Sequence, residues 1–279
     1  MSKKGMGIVV SLLLGISIVG TSWKAAEQPQ NEQKSVKQFN SLSGDSLYNN
    51  YILNLYHQAR LDSAGLNIFV FEKALTGFYN IKSLGLLHTK SILTIADFDQ
   101  ESCKKRLYII DINKKELILN TWVAHGQNSG GDKPSYFSNA KNSNTSSLGF
   151  YLTGEVYFGK HGRSLKLDGM DNGFNNNARE RSIVVHGADY VCQESINQLG
   201  RLGRSQGCPA VSSKLANQVI NTISDKTVLF INSSSQYYTS TYLNETLAAS
   251  EALNQQEVLA SNMDWLTTFN NLSSDSYRM

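Results

Sequence analysis

An apolar run from Ile8 to Val19 opens the chain, preceded by Lys3 and Lys4 and followed by a stretch with almost nothing to bury. A basic start, a short apolar core and the small residues Gly20 and Ser22 predict an export signal over 1–22. It is either cleaved after Ser22 or kept as an anchor, the run being short for a membrane span. Residues 23–45, rich in Gln, Asn, Lys and Ser, read as a polar linker between membrane and folded part. Apolar side chains then recur at helical spacing. Leu47, Tyr51, Ile52, Leu55 and Ala59 form one face; after a break at Asp62 to Gly65, Ile68, Phe71, Ala74, Leu75 and Phe78 form another. The spacing predicts an antiparallel helical pair within 46–90, its aromatic residues serving as core.

From Ser91 the pattern shortens to β-like runs. Leu93 to Ala96, Leu107 to Ile110 and Leu117 to Ala124 are β-branched and apolar, with Asn113, Lys114 and Lys115 as a hairpin turn between the last two. A long polar loop follows from Gly126 to Ser147. Phe150 to Thr153, Ser164 to Leu167 and Ser182 to His186 predict further strands. Ser212 or Ser213 can cap a helix whose Leu215, Ala216, Val219, Ile220 and Ile223 share a face, and Thr227 to Ile231 reads as a closing strand. The mainly β part therefore covers 91–235. The tail, 236–279, shows weak helical periodicity around Leu243 to Leu259.

Composition narrows the partners. A chain of 279 residues with a net charge of +3 has ample apolar content for a core but no basic run that tracks a phosphate backbone, so nucleic acid is not an expected partner. Cys103, Cys192 and Cys208 are an odd count, so at least one thiol stays free, and in an exported protein a free thiol points to chemistry.

Two stretches concentrate reactive residues. Ser182-Ile183-Val184-Val185-His186-Gly187 delivers an imidazole at a strand end, where Gly187 lets the chain turn. Gly203-Arg204-Ser205-Gln206-Gly207-Cys208-Pro209-Ala210 places a thiol beside a side-chain-free residue and ahead of a helix. An imidazole and backbone N–H groups near a thiol favour its thiolate, and the amides flanking Gly207 are oxyanion-hole candidates. Cys208 and His186 are thus a candidate nucleophile and base for covalent acyl transfer. Taken alone, a buried structural cysteine and an unrelated histidine fit the same residues.

Ordered motifs run from about Leu93 to Ile231: Arg106-Leu107-Tyr108-Ile109-Ile110-Asp111, Val123-Ala124-His125-Gly126, Ser147-Leu148-Gly149-Phe150-Tyr151, Gly159-Lys160-His161-Gly162 and His186-Gly187-Ala188-Asp189-Tyr190. With the Ser-x-Gly-Cys of residues 205–208, this half of the chain resembles the L,D-transpeptidase (YkuD-like) family, in its murein L,D-transpeptidase catalytic domain branch. The resemblance implies a mainly β, L,D-transpeptidase-like β-sandwich with an N-terminal helical pair and a C-terminal helical or irregular tail. It implies Cys208 as nucleophile, His186 as base oriented by the Gly187 carbonyl, and the N–H groups of Gly207 and Cys208 on the oxyanion. Where many family members carry His before Gly-Cys, this chain has Gln206.

The implied reaction is attack on the stem-peptide amide before the terminal D-alanine, through a thioester, without a cofactor. An amine acceptor gives a cross-link; water gives an L,D-carboxypeptidase or peptidoglycan amide hydrolase. A catalytically inactive wall-binding module is the alternative from another class. On the substrate side stand Arg204, Ser205 and Gln206 beside the nucleophile, with Arg181, His161 and Tyr190; guanidinium groups suit the carboxylates of stem peptides. Solvated surface charge or a rim tyrosine is the plain alternative for these, and Arg201 reads as surface charge. His125, His161 and His186 can be weighed as a zinc set, but none lies in a helical pair with metal spacing, so no metal is expected. Cys192 reads as a plain thiol or as an oxidative trap for Cys208. The expected partner is peptidoglycan in the periplasm or cell envelope, for a monomer touching membrane only through an uncleaved N-terminal segment.

Overall fold

The computed structural model describes residues 44–255; the expected signal and most of the expected linker, and the tail beyond 255, lie outside them. Helix α1 spans Gly44–Gln58, starting inside the stretch expected to be linker, and α2 spans Ile68–Ser83. Asn67 caps α2 because its side-chain oxygen accepts the Phe69 N–H at 2.8 Å. The predicted apolar stripes face each other: Ile52, Leu55, Phe71, Leu75 and Phe78 are all buried in one cluster. Among the described residues no helix is long and apolar enough to cross a membrane.

The strands are β1 (Ile92–Asp97), β2 (Leu107–Asp111), β3 (Glu116–Thr121), β4 (Gly149–Gly159), β5 (Gly162–Gly169), β6 (Val184–Ala188), β7 (Ala210–Ser212) and β8 (Val228–Asn232). They form one eight-stranded sheet in the order β3-β2-β1-β8-β4-β5-β6-β7. The β1/β8 and β6/β7 pairs are parallel and the rest antiparallel. Both faces are covered. In β1, Leu93 and Ile95 join the cluster under the helical pair, whereas Ile92 and Ala96 join a second cluster with α4 (Ala216–Ile223). This two-sided burial is why the strands read as unbroken apolar runs rather than alternating ones. The sheet bends far enough that Ala124, just past β3, bridges Ala210 on β7 at the other end. The result is the mainly β, sandwich-like catalytic fold that the resemblance implied.

Several details differ from expectation. The strand at Thr227 to Ile231 does not close the sheet at an edge; as β8 it lies between β1 and β4, with Phe230 stacked on Phe150 at 4.4 Å. β4 and β5 run well beyond the apolar residues that announced them, forming a hairpin that turns at Lys160 and His161. Helix α3 (Gln193–Leu199) and the three-residue β7 carried no recognised pattern. Neither Ser212 nor Ser213 caps α4: Leu215 holds the cap position, and Ser213 Oγ donates instead to Asp189 Oδ1 at 2.6 Å. The tail has a packing role, since residues 245–255 are helical and Ala248, Ala249 and Ala252 enter the α1/α2 cluster. Asp171 fastens the segment before it, accepting from the hydroxyls of Tyr238 (2.7 Å) and Ser240 (2.5 Å).

Candidate active site

The apolar residues Val184 and Val185 bury β6 between β5 and β7, and the register sets His186 opposite Ser164 on one side and Ala210 on the other. The strand does not end at His186, as the sequence suggested, but continues through Gly187 to Ala188. Gly187 is there for close packing. A Cβ on it would lie 2.9 Å from the Ala216 Cβ at the start of α4 and 3.1 Å from the Ser213 Cα. His186 Nδ1 lies 2.8 Å from the Gly187 carbonyl. A carbonyl only accepts, so Nδ1 carries the hydrogen and Nε2 keeps a lone pair able to take a proton.

Cys208 stands just ahead of β7, and its thiol lies 3.7 Å from the carbonyl of Ser182, two residues before β6. Gly207 has φ +118, a conformation side chains rarely adopt, and a Cβ there would meet the Thr145 carbonyl oxygen at 2.6 Å. Ser205 organises this turn: its hydroxyl donates to the Cys208 carbonyl at 2.6 Å and accepts the Gly207 N–H at 3.1 Å. The Gly207 amide, expected to face an oxyanion, is thereby occupied. The Cys208 N–H has no acceptor among the described residues. From behind, the Ser205 N–H reaches the His125 carbonyl at 2.9 Å. His125 is in turn fixed by the fully buried Arg106, whose guanidinium bonds His125 Nδ1 (2.8 Å), the Val123 carbonyl (3.0 Å) and the Gln100 carbonyl (2.7 Å).

Cys208 and His186 line one cavity of about 590 Å³. Arg181, His161, Tyr190, Arg204, Ser205 and Gln206 line it too. Arg181 is not a free cation there: it donates to the carbonyls of Ser138 and Thr145, both at 2.7 Å, to Ser143 Oγ at 3.1 Å and to Ser147 Oγ, clamping the long loop. Among the described residues, Arg204 donates from Nη1 alone, to the carbonyls of Gln127 (3.1 Å) and Gly130 (2.7 Å). His161 stacks on His186, while His125, the third histidine weighed for zinc, is engaged by Arg106 instead. Cys192 is a free, partly buried thiol 3.4 Å from Ser195 Oγ, and Cys103 is also free.

Sequence reasoning missed Lys160, Asn142 and Asn144 on the cavity wall; Tyr157, whose hydroxyl the sequence offers to oxyanion or substrate with a core or rim tyrosine as the plain alternative, lines it as well. The two asparagines sit on the long polar loop, and such a loop on a rigid scaffold is itself a signal of function. Lys160 stands in the Gly159-Lys160-His161-Gly162 motif, at a hairpin turn that lies beyond the apolar stretch announcing β4 and β5.

The electrostatics favour uncharged partners. Burial pushes the Cys208 thiol up, against the opposing pull of the Val184 backbone and the charges of Arg181 and Lys160. Burial also holds His186 below its usual 6.5, with the Gly187 carbonyl opposing and His161 and Lys160 adding to the depression. Both directions favour thiol plus neutral imidazole over a thiolate–imidazolium pair, contrary to the thiolate expected from sequence. Tyr190 is pushed up to about 12, by burial first and by Cys208 second, so its hydroxyl keeps its proton.

The family model for the L,D-transpeptidase catalytic domain matches residues 62–232. No curated protein matches the chain. Among solved structures, an L,D-transpeptidase from Mycobacterium smegmatis is 13% identical with a TM-score of 0.32, covering 52% of this chain and 59% of that one. The helical cell shape determining protein Pgp2 from Campylobacter jejuni is 14% identical with a TM-score of 0.34, covering 68% and 66% respectively. An L,D-transpeptidase from Xylanimonas cellulosilytica is 13% identical with a TM-score of 0.31, covering 64% and 92%. The chain therefore spans about six-tenths of the mycobacterial enzyme's length. Likeness at this level bears on neither mechanism nor substrate.

Proposed function

Since the chain belongs to the L,D-transpeptidase catalytic-domain family, we propose that it modifies peptidoglycan outside the cytoplasm by cysteine-dependent acyl transfer, with Cys208 as nucleophile and His186 as base. The observation that supports this reading is that one cavity is lined by a thiol and by an imidazole whose Nδ1 is tied to the Gly187 carbonyl and whose Nε2 is left able to accept.

Because both groups rest uncharged, proton transfer accompanies attack rather than preceding it. The Cys208 sulfur bonds to the carbonyl carbon between the third stem residue and the terminal D-alanine as its proton passes to His186 Nε2. The carbonyl oxygen becomes an oxyanion, taken by the unclaimed Cys208 N–H. Collapse breaks the C–N bond; His186 returns the proton to the leaving amine, D-alanine departs and a thioester remains. An amine of a second stem, or water, then gives a proton to Nε2 and attacks the thioester carbon. The released sulfur recovers the proton. Transpeptidation is the leading outcome and L,D-carboxypeptidase activity the other, both through the same thioester. The free N–H groups of Arg204 suit a stem carboxylate, while Arg181 acts by holding the loop wall.

The deciding experiment incubates the purified protein with defined tetrapeptide muropeptides and identifies products by mass. Loss of D-alanine together with a cross-linked dimer is expected, with a covalent adduct on Cys208 trapped by a carbapenem-type electrophile. Cys208→Ala should abolish both with the fold intact; turnover in that variant would overturn the proposal.

A further inference from the structure

His161 sits at the turn of the β4–β5 hairpin, and its ring lies on that of His186 with centroids 4.3 Å apart and planes at 21°. His186 is only 2% exposed, although it lines the cavity. Its ring is located by two contacts of different kinds. The bond from Nδ1 to the Gly187 carbonyl fixes one atom in the ring plane, and about that point the ring can still tilt, swinging Nε2 out of line. A second ring laid on its face blocks the tilt and takes the place of water over that face.

We propose that His161 is a positioning residue that acts through His186, holding Nε2 on line with the Cys208 side of the cavity and keeping bulk water off the base. This rests on the reading of Cys208 and His186 as nucleophile and base, and it gives His161 a task other than contact with substrate.

Lys160 and His161 act on His186 from the hairpin turn; Cys208, Tyr190, Arg181, Glu180, Lys141 and Arg204 line the same cavity. Asp189 is taken up by Ser213. Burial is the first cause of the depressed His186 pKa, and the second imidazole and Lys160 push the same way. Removing the ring should therefore let His186 rise.

The test compares His161→Ala with His161→Phe, which keeps a flat ring without nitrogens. Three readouts apply: kcat and KM on a tetrapeptide muropeptide, the pH profile of kcat/KM, and the His186 titration followed by nitrogen NMR. For His161→Ala, kcat should fall by about 10- to 100-fold, the loss typical of a small misalignment of a catalytic group, with little change in KM. Its acid limb and the His186 titration should both move to higher pH. His161→Phe should recover kcat to within about threefold, since only the face contact is required, and put the His186 titration between those of the native protein and His161→Ala, the ring being restored without the second imidazole's push.

Full kcat in the Ala variant would overturn the proposal, as would a change confined to KM or a Phe variant as poor as Ala. The NMR titrations are repeated in the Cys208→Ala background, where no chemistry is needed. If Cys208→Ala itself turns substrate over, the base assignment fails, while the titrations still report whether the stack governs His186.

Discussion

The middle of the sheet and its β7 end are made from the same backbone ladder and put to opposite use. In the middle, where β1, β8 and β4 lie side by side, hydrocarbon fills both faces, with Phe150 stacked on Phe230 under the helical pair. At the end, the row across β5, β6 and β7 reads Ser164, His186, Ala210. Polar and small side chains replace large apolar ones there, the last strand shrinks to three residues, and a cavity opens beside it. Burial supplies stability in one place; in the other the chain gives up packing to hold an uncharged imidazole and thiol at a rim.

Substitutions at each place should separate the two. His186→Ala should lower kcat by about 10²- to 10⁴-fold, the usual contribution of a general base, with little movement of the thermal midpoint; steady-state kinetics and melting on one preparation check both. Phe150→Ala should do the reverse, costing about 3–5 kcal/mol by transfer and cavity terms, read by denaturant titration, with near-normal kcat in the protein that remains folded.

Acid should act on the two through different histidines. Fully buried His125, beside Arg106, is pushed down from 6.5 to about 3, by burial first and the guanidinium second. Its folded pKa lies below its unfolded one, so the unfolded chain binds the extra proton. Stability is then lost as pH falls through that window, by up to about 1.4 kcal/mol per pH unit. His125→Asn, whose Oδ1 can still accept from Arg106, should flatten that slope in a series of melts. Activity should persist to lower pH than an ordinary imidazole allows, because His186 is also depressed and must be neutral to act; the acid limb of kcat/KM is expected below 6.5. Smallest of all, Asn67→Ala removes the α2 cap and should cost about 1 kcal/mol with kcat unchanged, as melting and kinetics will show.

Patterns confined to neighbouring residues were legible in the sequence. The stripes of α1 and α2 and the runs of β1, β2 and β3 stood out because apolar spacing is a local property. So did the two chemical stretches around His186 and Cys208. What escaped depended on residues far apart in the chain. β7 is short, follows Pro209 and is defined only by its pairing with β6. The far half of the β4–β5 hairpin is exposed, Phe158 being 80% accessible, so no burial pattern marks it; yet it brings His161 onto His186. Ser213 looked like a helix cap because a hydroxyl stood near the right place, but α4 starts only at Ala216 with Leu215 at its cap position, and the Ser213 hydroxyl donates to the Asp189 carboxylate instead. Arg106 gave no warning of complete burial, since its hydrogen bonds go to backbone carbonyls and an imidazole rather than to a carboxylate.

The bridge between Ala124 and Ala210 carries a final implication. The amide and carbonyl of Ala210 on its outer side are already used by Ala124, in bonds of 3.4 and 2.8 Å. At Ala210, then, β7 has no free ladder group on that side with which to pair an extended peptide. Under the proposed reaction, a substrate would therefore meet Cys208 through the cavity that the thiol shares with His186, and not along this side of Ala210.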